Sequence, residues 1–211
     1  ANVLFESVFA PSMVDYRADW RYKIHFSGES MQRTDLYFPN KSYYETYDVV
    51  MCSHGQVRDN VIDLPFFAFY VQSGGRLAKL RPDARFYKHH YHLAEKFCCY
   101  IVSWGGNPTR DRILDVVSGY KRVDSAGKHR NNIGGNLEFA YTSDRLISFI
   151  GEYKFMICFE NTIEGTYITE KLVNAFQART IPIYFGTNYV TQVFNKDAFL
   201  MLEDESDAGY Q

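Results

Sequence analysis

Two short apolar runs, Lys154–Phe159 and Ile181–Phe185, bracket the stretch where the chain's pattern is clearest. Each has the length of a strand buried on both faces of a parallel sheet. Between them the pattern breaks into a polar loop, Glu160-Asn161-Thr162-Ile163-Glu164-Gly165, and resumes over Thr169–Gln177. There Leu172, Ala175 and Phe176 fall three and four apart, on one helical face. Thr169 has a side chain that can cap this predicted helix, and Glu170 suits its first turn. Strand, loop, helix and strand make one βαβ unit, whose ligands collect beyond the strand's C-terminal end, facing the helix N-terminus. The loop and first turn there carry Asn161, Tyr167, Glu170 and Lys171. The plain alternative is an N-capped surface helix, but capping alone does not call for those four side chains together.

The same alternation extends upstream. A strand is expected at Phe97–Ser103 and a helix at Thr109–Tyr120, with Ile113, Val116, Val117 and Tyr120 on one face. Val123-Asp124 follows, then the Gly- and Asn-rich stretch Ser125–Asn136 and a helix over Ser143–Tyr153. A last strand is expected at Ala198–Leu202. Residues 96–186 therefore read β-α-β-loop-α-β-α-β, the order of a doubly wound parallel sheet. Arg110 lies in the first turn of its helix, where a cation opposes the dipole; an anionic ligand or plain solvation would each account for it.

Before a boundary near Glu95, strands are expected within residues 1–10, at Tyr22–Phe26 and at Tyr47–Cys52. Val61–Val71 is apolar, interrupted by Pro65 and rich in aromatics. Two units follow, 1–95 and 96–211. Glu29 comes directly after Gly28 at the end of the Tyr22–Phe26 strand. It can face a cleft there; spacing alone favours a turn residue bonded to its own backbone.

Composition narrows the classes. With 211 residues there is enough chain for a full core. Aromatic content is 17%, carried by 17 Tyr and 17 Phe, and rings with polar tips suit a cleft for flat or sugar-like ligands. A net charge of −2 supplies no basic field for nucleic acid. No run approaches the ~20 apolar residues of a membrane span, and no signal peptide is visible, which leaves the cytoplasm as the default compartment. The oligomeric state is not readable. Cys52, Cys98, Cys99 and Cys158 form no C-x-x-C pair and sit in apolar runs, as buried free thiols do. His89, His90 and His92 invite a metal, but neighbouring side chains diverge and no acidic partner is placed with them. No Asp-x-Asp pair, G-x-G-x-x-G, Walker loop or G-x-S-x-G elbow occurs, so the expectation is no metal and no cofactor.

The run CFENTIEGTYITEKLVNAF…TIPIYFG, Cys158 to Gly186, resembles the signature of the α1,3/4-fucosyltransferase family. SWGGNPTRDRILDVVSGYKRVDSAGKHRNNIGG resembles the family's S-N-P…R…Y…V-D-x-x-G…N-N-x-G segment; here Trp104-Gly105-Gly106 interrupt Ser-Asn-Pro. HFSGES resembles its F-x-G-E-x segment, and YDVVMCSH its Y-D strand. The resemblance implies a GT-B-like α/β fold: two Rossmann-like parallel-sheet domains with a cleft between them, the N-terminal, acceptor-side one expected to be short. It implies GDP-fucose as donor, a glycan hydroxyl as acceptor and inversion at the anomeric carbon. By position, Asn161, Tyr167, Glu170 and Lys171 match the nucleotide-sugar contacts, Arg110 the arginine facing the diphosphate, and Glu29 the carboxylate proposed as base. A nucleotide-sugar or glycan-binding module without activity, and a transferase for another sugar nucleotide, stay open.

Overall fold

The computed structural model describes residues 2–8, 19–32, 43–72, 93–135, 137, 140 and 143–202. The triplet His89, His90 and His92 lies outside them. Two all-parallel sheets dominate. The first runs β1 (Val3–Ser7), β2 (Tyr22–Phe26), β3 (Val49–Cys52), β4 (Val61–Asp63), neighbours in space in that order. The second has the order β6 (Val123–Ser125), β5 (Lys96–Tyr100), β7 (Tyr153–Phe159), β8 (Ile181–Phe185), β9 (Leu200–Met201). The helices, in chain order, are α1 (Tyr43–Thr46), α2 (Phe67–Gln72), α3 (Pro108–Tyr120), α4 (Asp144–Ile150), α5 (Glu170–Ala178) and α6 (Val190–Val193). This is the expected GT-B-like arrangement of two Rossmann-like sheets.

The second sheet is wound on both faces. Cys99, Met156, Cys158 and Tyr184 pack with Leu146 and Ile150 of α4 and with Leu172 and Ala175 of α5. Cys98, Tyr100, Ile157 and Phe159 pack on the other face with Ile113 and Leu114 of α3. Adjacent Cys98 and Cys99 thus serve opposite cores, as strand alternation requires. Both are free, and burial pushes the Cys98 thiol up to about 12. Continuous apolar strands, rather than alternating ones, follow from this double cover. In the first sheet the core is smaller, with Tyr44, Tyr47, Val50 and Cys52 buried together.

Some elements differ from their sequence pattern. The apolar run Val61–Val71, given no element from its pattern, divides at its proline: β4 ends at Asp63 and α2 starts at Phe67, since Pro65 cannot donate to a ladder. The predicted Ser143–Tyr153 helix stops at Ile150, with Gly151 as its C-cap and Ser143 capping its start, and Tyr153 belongs to β7.

In the second sheet the chain moves from β5 to β6 on one side, then crosses back to β7 on the other. The order therefore reverses between β5 and β7. Loops leaving these two strands part to opposite faces, and the crevice between them is where open α/β sheets bind ligands.

Candidate active site

At that switch point lies a cavity of about 300 Å3, bounded on its far side by the end of β2 and by α2. Its wall includes all six residues singled out from sequence: Glu29, Arg110, Asn161, Tyr167, Glu170 and Lys171. Five come from the loops and helix starts that follow β5 and β7, and Glu29 from the turn after β2 of the first sheet.

Arg110 reaches the cavity because α3 begins one turn before it. Asn107 is the N-cap, its side chain accepting the Arg110 amide at 3.2 Å, and Pro108 opens the helix. Arg110 is 3% exposed. Among the described residues no carboxylate pairs with it; it makes one long hydrogen bond, Nη2 to the Trp104 carbonyl at 3.5 Å. A buried cation without a counter-charge is costly unless an anion arrives. Asn107 also donates from Nδ2 to the Asn161 carbonyl at 2.9 Å, fastening the β5 loop to the β7 loop.

Lys171 is placed differently. Its Nζ lies 3.2 Å from Glu160 Oε2 and donates to Thr169 Oγ1 at 2.8 Å. Burial works against its charge, yet Glu160, Glu170 and Tyr167 together hold its pKa above the usual lysine range. Glu160 was not legible as a site residue. It is 3% exposed and accepts the Thr169 amide and hydroxyl, both at 2.7 Å. Thr169 stands at the N-cap position of α5 but makes no side-chain cap, contrary to the sequence expectation. The hydroxyl instead donates to Glu160, the stronger acceptor, and accepts from Lys171 Nζ, while Glu160 also takes the amide of Thr169 itself. A glutamate directly after an apolar strand was the available signal; its burial is a tertiary property.

Tyr167 is buried, and desolvation raises its phenol, with nearby Glu160, Glu29 and Glu170 adding to the rise against Lys171. Glu170 opens α5 and, with Asn161, lies at the same cavity surface.

Glu29 sits in a turn, though the turn's bonding is done by Ser27, whose Oγ donates to the Glu29 carbonyl at 3.2 Å and accepts its amide at 3.4 Å. His54 Nε2 meets the same carbonyl at 3.1 Å, and its Nδ1 meets the Tyr44 hydroxyl at 3.0 Å. Gly28 is required beside it: a Cβ there would lie 2.3 Å from the Phe66 ring. So the backbone of Glu29 is fixed at the cavity that the residue lines.

The segment between Asn161 and Tyr167 joins the two halves. The Glu164 carboxylate accepts the Met31 amide. Gly165, at φ +41, stacks against the backbone of His54 and Gly55, where a Cβ would come within 2.3 Å of a main-chain carbon. Thr166 Oγ1 donates to Asp63 Oδ1 at 3.0 Å, and the Phe67 amide donates to the Ile168 carbonyl at 2.8 Å. Among the described residues no cluster of His, Cys, Asp and Glu is arranged to hold a metal, and no helix is long and apolar enough to cross a membrane.

The family profile described as glycosyltransferase family 10 (fucosyltransferase), C-terminal part, matches residues 80–209. The chain is 33% identical over 112 residues to the α-(1,3)-fucosyltransferase FucT of Helicobacter pylori, covering 53% of this chain and 22% of that protein. It is 33% identical over 115 residues to the human 4-galactosyl-N-acetylglucosaminide 3-α-L-fucosyltransferase 9, covering 52% and 30%. A crystal structure of an α1,3-fucosyltransferase with GDP-fucose superposes with a TM-score of 0.70 at 20% identity, over 100% of this chain and 64% of that one. A second α1,3-fucosyltransferase structure gives a TM-score of 0.73 at 19% identity, again over 100% and 64%. The chain thus spans less than a third of the length of these two sequence relatives.

Proposed function

This chain belongs to glycosyltransferase family 10, the fucosyltransferases, and on that footing we propose that its cleft takes GDP-fucose and transfers fucose, with inversion, to a glycan hydroxyl. One observation carries the reading: a buried arginine, unpaired among the described residues, opens onto the same cavity as Lys171 and the start of α5, with a carboxylate from the other sheet across it. That is an arrangement for an anionic leaving group on one side and a proton acceptor on the other.

In the reaction, the acceptor oxygen attacks the anomeric carbon as the bond from that carbon to the β-phosphate oxygen breaks. Glu29 takes the hydroxyl proton, and the electron pair of the broken bond leaves with GDP. Arg110 meets the diphosphate with a two-pronged fork, which suits paired phosphate oxygens. Lys171 contributes charge from within its Glu160 and Thr169 network, and the first turn of α5 contributes backbone donors. Fixed donors of this kind need no reorganisation as charge develops. Glu170 accepts from ribose hydroxyls, and Asn161 and Tyr167 complete the donor contacts. Arg110, Lys171 and the start of α5 meet the diphosphate, and this reading assigns no metal or cofactor. We assign residues 96–211 to donor binding and 1–95 to the acceptor side.

The test is a thermal-shift panel of GDP, UDP, GDP-mannose and GDP-fucose. A ligand at 100 times its Kd stabilises the fold by about 2.7 kcal/mol. GDP and GDP-fucose should shift the midpoint and UDP should not; transfer from GDP-fucose should then be measured with a glycan acceptor. Equal shifts with UDP would discard the guanosine donor, and GDP binding without hydrolysis or transfer would leave a binding module.

A further inference from the structure

The loop between β5 and α3 carries Trp104-Gly105-Gly106, the three residues that interrupt Ser-Asn-Pro. Trp104 is 64% exposed, an unusual state for the largest side chain when it stands at the mouth of a cavity. Its position is built. A Cβ on Gly105 would lie 2.6 Å from His129 Nδ1, so only glycine lets the loop rest on that ring. His129 is itself anchored through Nε2 to Asp111 Oδ1 at 2.6 Å. Gly106 has φ +95, and a Cβ there would come 3.5 Å from the indole edge. The loop thus turns back beneath the indole and holds it outward.

A second hollow, of about 610 Å3, adjoins the donor cavity. Trp104, Glu29 and Asn161 line both. The second is otherwise polar at its edge, with Ser30, Asn107 and Thr162. We propose that this hollow is the acceptor subsite, and that Trp104 is the platform on which a pyranose ring of the acceptor lies. A hexose has one face of C–H groups and a rim of hydroxyls. The indole suits the face, while the amides and hydroxyls around it suit the rim. A ring seated there would sit beside Glu29, the group that must reach its hydroxyl proton. This proposal rests on the transferase reading above.

The chain has two tryptophans, Trp20 and Trp104. Trp20→Phe therefore leaves Trp104 as the only indole. That variant, saturated with GDP, is titrated with 4-galactosyl-N-acetylglucosamine, the disaccharide named for the human relative, and with lactose and N-acetylglucosamine. We expect a saturable change in indole emission with at least one sugar. In the unsubstituted background, Trp104→Ala should raise the acceptor KM roughly tenfold, well beyond any change in GDP affinity, with Trp104→Phe recovering much of the loss. Emission silent to every sugar up to its solubility, in protein shown by calorimetry to bind GDP, overturns the platform and leaves the donor reading standing. Failure of the unsubstituted chain to bind GDP defeats the donor reading instead. An unmoved acceptor KM in Trp104→Ala also overturns the platform.

Discussion

Replacing Glu160 by glutamine removes one charge from a buried pair and almost no volume. The exposures of the two side chains are 14% for Lys171 and 0% for Glu160, so solvent screens the pair poorly. One amide oxygen of the glutamine can keep the Thr169 N–H at the 2.7 Å position. Its NH2 must then face Lys171 Nζ, which sits 3.2 Å from the oxygen it replaces, donor against donor. Removing one partner of a buried ion pair costs about 3–5 kcal/mol. Because Lys171 keeps its bond to Thr169 Oγ1, the low end applies, about 3 kcal/mol. At about 2–4 °C per kcal/mol for a chain of this size, calorimetry should find the midpoint roughly 6–12 °C lower. Lys171→Met placed on Glu160→Gln should recover most of that loss, since removing both charges is nearly neutral where removing one is not. The folded Lys171 pKa is raised above its ordinary 10.5. Its contribution is therefore complete below that pH and fades only as pH rises past it, so the deficit should be equal at pH 6 and pH 8. A Glu160→Gln midpoint within a degree or two of the parent, or a double variant whose losses simply add, would refute the network.

Four other outcomes are expected. Arg110→Ala should weaken GDP binding by roughly 10–100-fold in calorimetry, the worth of one or two charge-assisted bonds; parental affinity would remove Arg110 from the donor site. Glu29→Gln should bind GDP normally and turn over roughly 100-fold more slowly, and a parental rate would exclude it as base. His25 is 0% exposed, and burial, with His54 nearby, lowers its pKa from 6.5 to about 4. The unfolded chain then takes up a proton below pH 6.5 that the native state refuses, so stability should fall by about 3 kcal/mol between pH 6.5 and 4, and His25→Leu should lose that share of the slope in urea titrations. Gly165→Ala forces a Cβ into main-chain atoms at 2.3 Å and a strained φ of +41; loss of about 1–3 kcal/mol is expected, and a parental urea midpoint would argue against the close approach.

Where a single strand or helix face decides the outcome, the sequence was readable. Tyr22–Phe26 and Ile181–Phe185 have the bounds their apolar runs predict. The turn of polar residues before α5 pointed to the cavity that Asn161, Tyr167, Glu170 and Lys171 share. What escaped was set by partners distant in sequence. Glu160 reads as one more loop acid until the fold buries it beneath Thr169 and Lys171. Arg110 reads equally well as a surface residue, since only the packing of its helix start against the β7 loop hides it. Trp104 reads only as part of the insertion in Ser-Asn-Pro, and it takes the two following glycines and His129 to hold it out.

The same segment that builds the cavity wall at Tyr167 also fixes its distance from Glu29, the proposed base. Tyr167 lies between Thr166, bonded to Asp63, and Ile168, bonded to the Phe67 amide. Glu29 lies two residues before Met31, whose amide the Glu164 carboxylate holds. Each side of the cavity is therefore tied to the other within two residues of a cavity-lining side chain. The glycine contact between them leaves no slack, because main chain rather than a flexible side chain occupies the space a Cβ would need. Sliding one sheet against the other would break these bonds and shift Tyr167 relative to Glu29. For the inverting transfer proposed above that coupling matters, since nucleophile, anomeric carbon and departing phosphate must stay in line, and misplacement by about 1 Å can cost on the order of 100-fold in rate. Variation that leaves Arg110 and Lys171 untouched can thus still change turnover, through the register of the two halves.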